Sequence, residues 1–570
     1  MGYYVPGEES KDLTTATITS ALSKVLPEYM VPSALVSIPS LPLTINGKLD
    51  KRALPDPDFN GQENYVAART ETEKILVGIW QQVLGVERIG VTDNFFQVGG
   101  DSILSIQVSS RVREAGYTCQ VKDLFTHKTI EKLAAHLDSN LVDASIKSEQ
   151  GLLSGSFELL PIQQWFACKV DHNEIANAHH WNQSFLVKVP ALDVKVLMGS
   201  IEKLVNYHDM LRVRFDRSSG WEQVYQAQLE IPLLKQLDVS AHSAQEVQEI
   251  LTAWQSNFNL ESGPLFQVGY LHGYEDGSAR VYFALHHMIV DAVSWRILAD
   301  DLKSLYLGKS LPAKGSSYRQ WVDAVKTYSQ EHSAEASYWE EQLRDVPTYQ
   351  VEEGITSSVM QMQLGKDLTK SLLQESSRAY HTEINDLLLT ALAYALRELN
   401  GESVQVITLE GHGRESIDSS IDHSRTVGWF TSMFPARLEL GGSIKESIQS
   451  VKEGLRAIPN KGIGFGAFAV SGSESYSYSN LSQVCFNYLG QFVSKDQEWA
   501  IVSESAGASI HSSNADHYAI NVNSVVIGNT LRMTISTKLG DHATSQLGAF
   551  VKEHLCAVIE DCNVKLLTEG

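Results

Sequence analysis

"ALHHMIVDAVSW", residues 284–295, sets two histidines, His286 and His287, and an aspartate, Asp291, between an apolar run and a helix-like run. Upstream, Val281, Phe283 and Leu285 alternate as in a strand; downstream, Val293, Ile297, Leu298 and Leu302 fit one face of a helix. The histidines therefore stand at a strand end. Adjacent side chains on a strand point to opposite faces, so one imidazole faces the core and the other a cleft, and zinc binding by the pair is disfavoured. Asp291 can orient the turn by pairing with an arginine, and the sequence leaves Arg414 and Arg425 open as partners. A second pair, His179 and His180, has Ser184 where the first has its aspartate, and reads as structural.

Around this stretch lie 570 residues, too many for one core; at roughly 150 residues per domain the prior is about four units. The 43% hydrophobic and 20% charged content is that of globular protein. With 46 Lys and Arg against 68 Asp and Glu, the net charge of -22 disfavours nucleic acid and anionic lipid as partners. The five cysteines are dispersed and form no CxxC, which argues against a disulfide framework and fits a reducing, cytoplasmic location. No run of about 18 apolar residues occurs, so no membrane-spanning helix is expected. The start "MGYYVPGEESKDL" carries no targeting signal.

Two breaks divide the chain. "LPDPDFNGQENYVAARTETE" (54–73) and "DSNLVDASIKSEQGLLSGS" (138–156) interrupt the periodic segments with Pro, Gly and polar residues. Between them Ile75, Ile79 and Val83, then Leu104, Val108 and Val112, recur at helical spacing and predict a small bundle. The remainder mixes strand-like runs such as 281–285 with helix-like runs such as 385–399, the pattern of an α/β unit in two lobes.

"DNFFQVGGDSILSIQ" (93–107) leads through two glycines into a helix beginning at about Ser102, with Asp101 or Ser102 as its N-cap. The string resembles the acyl and peptidyl carrier family, whose serine receives 4′-phosphopantetheine from a phosphopantetheinyl transferase. The resemblance implies a four-helix carrier bundle over residues 69–140, with Ser102 as the attachment point. A helix N-terminus after two side-chain-free residues suits a phosphodiester. Asp101 before the serine resembles carriers that serve an epimerase.

Residues 1–58, with "LPEYMVPSALVSIPSLPLTINGKLDKRALP", resemble the small α+β C-terminal subdomain of an adenylation domain, and Lys48 matches that family's catalytic lysine. The large subdomain that would bind amino acid and ATP is missing, so the chain is expected to be a fragment and adenylation is not expected of it.

HHxxxD resembles the condensation and epimerisation superfamily of non-ribosomal peptide synthetases, related in fold to chloramphenicol acetyltransferase. "PIQQWF" (161–166), "HHMIVDAVSW", "NDLLLTAL" (385–392), "EGHGRE" (410–415), "RTVGWFTSMFP" (425–435), "PNKGIGFG" (459–466) and "FNYLGQF" (486–492) match, in order, the motif series of epimerisation domains. This implies a multidomain chain ending in a two-lobed α/β epimerisation domain, with lobes over 156–335 and 336–570. Ala292 departs from the family, which has Gly after the motif aspartate.

The resemblance supplies a substrate, an aminoacyl or peptidyl thioester on the arm of Ser102, and a cofactor-independent isomerase reaction at its Cα. A thioester acidifies the adjacent C–H, and inversion needs a proton returned on the opposite face, so two flanking groups suit the chemistry. His287 is carried over as the first and Glu410 as the second, with Gly411 and Gly413 expected to allow close backbone approach to substrate. His286 and Asp291 support the turn; Asn487 and Tyr488 are expected to position substrate or stabilise charge on the carbonyl oxygen. His412 and Glu415 are expected to hold the loop. A downstream condensation domain and an adenylation core are the implied partners. The alternatives are a condensation domain forming peptide bonds, which needs no second proton carrier, and a non-catalytic scaffold.

Overall fold

The computed structural model describes residues 2–5, 18, 22, 35–38, 42, 65–139, 146–351, 357–470, 477–492, 498–514 and 517–569. Of the amino-terminal piece it describes a parallel pair, β1 (Gly2–Tyr4) and β2 (Leu35–Ser37). Lys48 lies outside the described residues.

Four helices follow: α1 (Glu71–Leu84), α2 (Ser102–Glu114), α3 (Val121–Thr126) and α4 (Ile130–Ser139). Each expected periodicity ends in one core, where Ile79, Val83, Leu104, Val108 and Val112 meet Trp80, Phe95 and Leu133. A Thr70–Glu73 capping box starts α1, and Gly85 in the left-handed region ends it.

The remainder is two lobes, each built on its own sheet. The first lobe contributes a small sheet of β3 (Gly155–Phe157), β5 (Val213–Asp216) and β6 (Glu222–Tyr225). Its larger sheet holds β4 (Asn182–Val189), β7 (Lys235–Asp238), β8 (Phe266–His272) and β9 (Ala279–His286). Helices α5 (Pro161–Asp171), α6 (Val194–Tyr207), α7 (Ala244–Gln255), α8 (Ala292–Tyr306) and α9 (Tyr318–Glu331) accompany them. Every residue of β9 is buried, so the alternation of Val281, Phe283 and Leu285 marks two covered faces rather than one wet and one dry.

The second lobe holds β10 (Ser358–Leu364), β11 (Val404–Gly411), β12 (Ser432–Glu439), β13 (Val484–Phe492), β15 (Ile520–Ile527) and β16 (Thr530–Thr537), in the order β10-β16-β15-β13-β11-β12. Helix 384–400 and the long helix 541–569 cover it through Leu387, Leu392, Leu547 and Leu555.

The lobes do not divide at residue 336. β14 (Ala500–Val502) returns to the first lobe and pairs antiparallel with β4 through Lys188, Val187 and Leu186. Ile510 bridges to Trp181 nearby. The crossover occupies the exposed edge of the first sheet, and Glu504 satisfies the buried Arg280 of β9. Val427, Trp429, Phe430 and Met433 likewise pack into the first lobe's core.

Carrier and lobes are in contact. Ile103, Ile106 and Val121 of the carrier join the first lobe's apolar cluster. Arg113 pairs with Asp422, and Arg425 with Glu114 at 2.6 Å. The Gln120 side chain donates to Ser419 O at 3.1 Å, and Lys461 Nζ lies 4.1 Å from the Phe125 ring centroid.

One buried pair joins the two lobes. Arg414, fully buried beyond the end of β11, holds Asp291 at the start of α8 at 3.0 Å, with Asp291 itself 5% exposed. Removing one partner leaves a buried charge unmatched, at a cost of about 3–5 kcal/mol. We therefore expect Arg414→Met to lower the unfolding free energy by about that amount in urea denaturation, and Asp291→Leu in the same chain to recover part of the loss.

Candidate functional site

The two histidines separate as strand geometry requires. His286 closes β9 fully buried: its Nε2 donates to Ala178 O at 2.7 Å, and its Nδ1 accepts from Met288 N at 3.2 Å. Burial pushes its pKa down to about 3, so it is a neutral structural group at working pH. His287 opens the turn and keeps partial solvent access. Its Nδ1 donates to Val290 O at 2.9 Å, which leaves Nε2 as the basic nitrogen, 3.1 Å from the side-chain nitrogen of Gln183. Trp181 stacks on the ring at 5.0 Å and Trp429 lies at 4.4 Å. Burial lowers the His287 pKa, with the Val290 carbonyl and Asp291 opposing.

Glu410 stands one residue from the end of β11, in register with Asn487 of β13 and Met433 of β12. The Asn487 amide donates to Glu410 Oε2 at 2.9 Å, and Cys485 Sγ lies 3.6 Å from Oε1. Tyr488, the next residue, packs its ring against the second lobe's apolar cluster. Its hydroxyl is buried without a hydrogen-bond partner among the described residues, and burial, with Asp101 nearby, raises its pKa well above the ordinary range.

The glycines of "EGHGRE" serve a different purpose from the one expected. Gly413 has φ +69°, and a Cβ there would fall 1.6 Å from Phe430 O; a Cβ on Gly411 would stand 2.9 Å from Ser432 Oγ. Their missing side chains admit the chain's own 430–432 segment rather than substrate. Beyond them, His412 Nδ1 accepts from Arg414 N at 3.0 Å, and its Nε2 lies 3.4 Å from Glu415. Burial drives His412 down to about 3 and Glu415 up to about 7, which leaves both neutral over most of the acid range.

Arg414 is the partner of Asp291. Its other nitrogen donates to His423 O at 2.9 Å and Thr426 O at 2.6 Å, and it lies 3.9 Å from the Phe430 ring centroid. Asp291 also accepts from Ser294 N at 2.8 Å and Phe430 N at 3.1 Å, so one carboxylate caps α8 and ties down the segment bearing Trp429. Arg425 is engaged elsewhere, between Asp301 of α8 and Glu114 of the carrier. Ala292 opens α8 outside the left-handed region, so its methyl group meets no backbone strain.

On the carrier, Asp101 takes the capping role through Ile103 N at 2.9 Å and Leu104 N at 2.8 Å, and Ser102 becomes the first helical residue, half-buried. Burial raises the Asp101 carboxyl, opposed by Leu104 N and by Arg296 of α8. Gly490 of "FNYLGQF" has φ +81°, and a Cβ there would stand 3.0 Å from Ile103 Cδ1. Gln491 donates to Gly99 O. The end of β13 thus receives the loop that carries Ser102, a role not read from the sequence although both residues lay in a quoted motif. Gln183 and Cys485 lay in no motif and gave no signal; Trp429 lay inside "RTVGWF".

A model of the phosphopantetheine attachment site matches residues 74–137, and a condensation-domain model matches residues 153–569. The chain belongs to the condensation-domain family. It is a piece of a non-ribosomal peptide synthetase, with a carrier ahead of a condensation-type domain, and the attachment-site match brings covalent 4′-phosphopantetheine as its cofactor. It is 38% identical over 593 residues to a linear gramicidin synthase polypeptide of Brevibacillus parabrevis, covering 98% of this chain and 12% of that protein. Identity to N-(5-amino-5-carboxypentanoyl)-L-cysteinyl-D-valine synthase of Amycolatopsis lactamdurans is 38%, over 97% of this chain and 15% of that protein. The chain thus spans a small part of these relatives. The solved epimerization domain from the third module of tyrocidine synthetase B has 29% identity and a TM-score of 0.67, covering 74% of this chain and all of that one. The first condensation domain of the calcium-dependent antibiotic synthetase shares the fold, at 18% identity and a TM-score of 0.56 over 72% of this chain and 97% of that one.

Among the described residues of this condensation-family chain, no group of three or more His, Cys, Asp or Glu is placed to hold a metal ion. No described helix is long and apolar enough to cross a membrane.

His286 gives a pH test. Its folded pKa of about 3 lies below the unfolded value of about 6.5, so the unfolded chain binds one more proton between them and stability falls as pH drops through that window. The contribution is about 1.4 kcal/mol per pH unit, or about 2 kcal/mol between pH 6.5 and 5. Urea denaturation at pH 6.5, 6 and 5 should show wild type losing more stability than His286→Gln as the pH falls, by about 2 kcal/mol over that range.

Proposed function

We propose that this chain is a carrier and epimerisation unit that interconverts the L and D configurations at the Cα of an aminoacyl or peptidyl thioester. The observation that carries the reading is that one short segment, residues 429–433, touches both candidate acid/base groups. Trp429 touches His287, and Met433, four residues on, pairs with Glu410. An extended segment of that length spans no more than about 14 Å, which supports reading the two groups as belonging to one site. The likeness to a solved epimerization domain at 29% identity supports the same reading. So does a relative named for a product that ends in D-valine.

The residues at the start of α2 suit the arm. Ser102 is relieved of capping by Asp101 and follows two glycines, and the helix N-terminus favours a phosphodiester. The phosphopantetheine supplies a thioester, whose carbonyl acidifies the adjacent Cα–H. His287 Nε2 takes the proton from one face, and Glu410 returns one on the other; in the reverse direction the roles exchange. One of the pair starts with the proton and the other without, so a turnover in one direction leaves them interchanged. Asn487 holds the Glu410 carboxylate in place. A phosphopantetheinyl transferase, an adenylation core and a downstream condensation domain are the partners this chemistry needs. No disulfide joins the five cysteines, which supports a reducing, cytoplasmic setting.

Solvent deuterium exchange at the Cα of an amino acid loaded on the pantetheine arm tests the reading. Wild type should give a D/L mixture with deuterium at Cα, and His287→Ala and Glu410→Gln should each slow exchange by about 10²–10⁴-fold. Acyl transfer to an amine acceptor without Cα exchange would assign the chain to peptide-bond formation instead. Separately, incubation with a phosphopantetheinyl transferase and coenzyme A should add the arm's mass to wild type and leave Ser102→Ala unchanged.

A further inference from the structure

Gln183, second residue of β4, lies between His287 and Trp295 of α8. The Trp295 indole Nε1 is 2.8 Å from Gln183 Oε1, and Gln183 Nε2 is 3.1 Å from His287 Nε2. An indole nitrogen donates only, so the amide must turn its oxygen to Trp295 and its NH₂ to the histidine. An amide NH₂ also donates only, so the ring nitrogen facing it must be the bare one. From the other side, Val290 O accepts from Nδ1 at 2.9 Å and demands the proton there. Two unrelated contacts impose the same tautomer. The ring plane is held as well, by Trp181 stacked on it and Trp429 against it. Trp295 is itself fixed, stacked 5.1 Å from Phe185.

We infer that Gln183 is a positioning residue that holds His287 in the tautomer with Nε2 unprotonated and, by opposing the protonated ring, drives return of the proton. Nε2 has one in-plane lone pair, so it takes the Cα proton as the hydrogen bond from Gln183 gives way, and its N–H then stands against the Gln183 NH₂, donor against donor. Relief comes from giving the proton back, or from turning the amide and leaving the Trp295 indole unpaired. The charged and titratable neighbours do not supply this bias: Asp291 is neutralised by Arg414, and His286 is neutral and hydrogen-bonded to backbone. The inference rests on the epimerase reading for its catalytic consequence, whereas the tautomer and its titration stand independently.

The test uses the full holo chain labelled with ¹⁵N-histidine, wild type and Gln183→Glu, with His287 followed by NMR and Cα exchange followed over pH. A carboxylate in place of the amide accepts from both Trp295 and protonated Nε2, so the His287 titration should move up by about one to three pH units. The acid limb of Cα exchange should move with it, with exchange recovered at high pH. A purely structural role predicts lower exchange at every pH with the His287 titration in place, and that result overturns the inference. Should Gln183→Glu fail to fold, Gln183→Leu decides: the Nε2 resonance moves downfield on losing its donor, and an unmoved resonance overturns the inference. A wild type that shows no Cα exchange removes the epimerase reading alone, since the His287 titration still reports on Gln183.

Discussion

The buried Asp291–Arg414 pair is the constraint on which the site depends. One carboxylate receives the guanidinium, the start of α8 and the Phe430 backbone. The turn after β9 and the segment entering β12 are thereby pinned to each other, although they belong to sheets of different lobes. A charge pair this enclosed adds little net stability compared with apolar side chains of the same shape, but a partner missing from it is costly. What the pair holds together is geometry: the Phe430 backbone, next to Trp429, is tied to the start of α8, just beyond the turn that bears His287.

β13 plays a matching part toward the carrier. Asn487 holds Glu410, and Gln491, four residues along, donates to the Gly99 carbonyl just ahead of Ser102. A single element thus contacts both the Glu410 carboxylate and the loop ahead of Ser102. The bulge between Tyr488 and Gln491, with Gly490 at positive φ, lets Ile103 of the carrier approach the strand end. Arg425 adds an electrostatic tie, shared between the carrier's Glu114 and the buried Asp301 of α8.

Much of this was legible in local pattern. The turn from strand to helix at 286–292, the burial of one imidazole and partial exposure of the other, and the carrier helices follow from periodicities of two and 3.6 acting on a few residues. The glycines of "EGHGRE" show the limit of such reading. A glycine announces that something comes close, and only the fold shows that the approaching group is the chain's own Phe430 carbonyl rather than a ligand. The same holds for the lobe boundary, where β14 leaves its sequence neighbours to cover the edge of β4.

The amino-acid sequence by itself determined the kinds of unit present, the serine, histidine and carboxylate set out in order, and the family they resemble, because these are carried by short strings with local geometric meaning. The tertiary structure alone decided that Arg414 rather than Arg425 meets Asp291, that Gln183 faces His287, and that the Tyr488 ring packs into the second lobe's cluster. Those pairings join residues 104 to 123 positions apart, or depend on which face of a central strand meets which lobe. Such choices are settled by how whole sheets pack, a property that no short window of sequence contains.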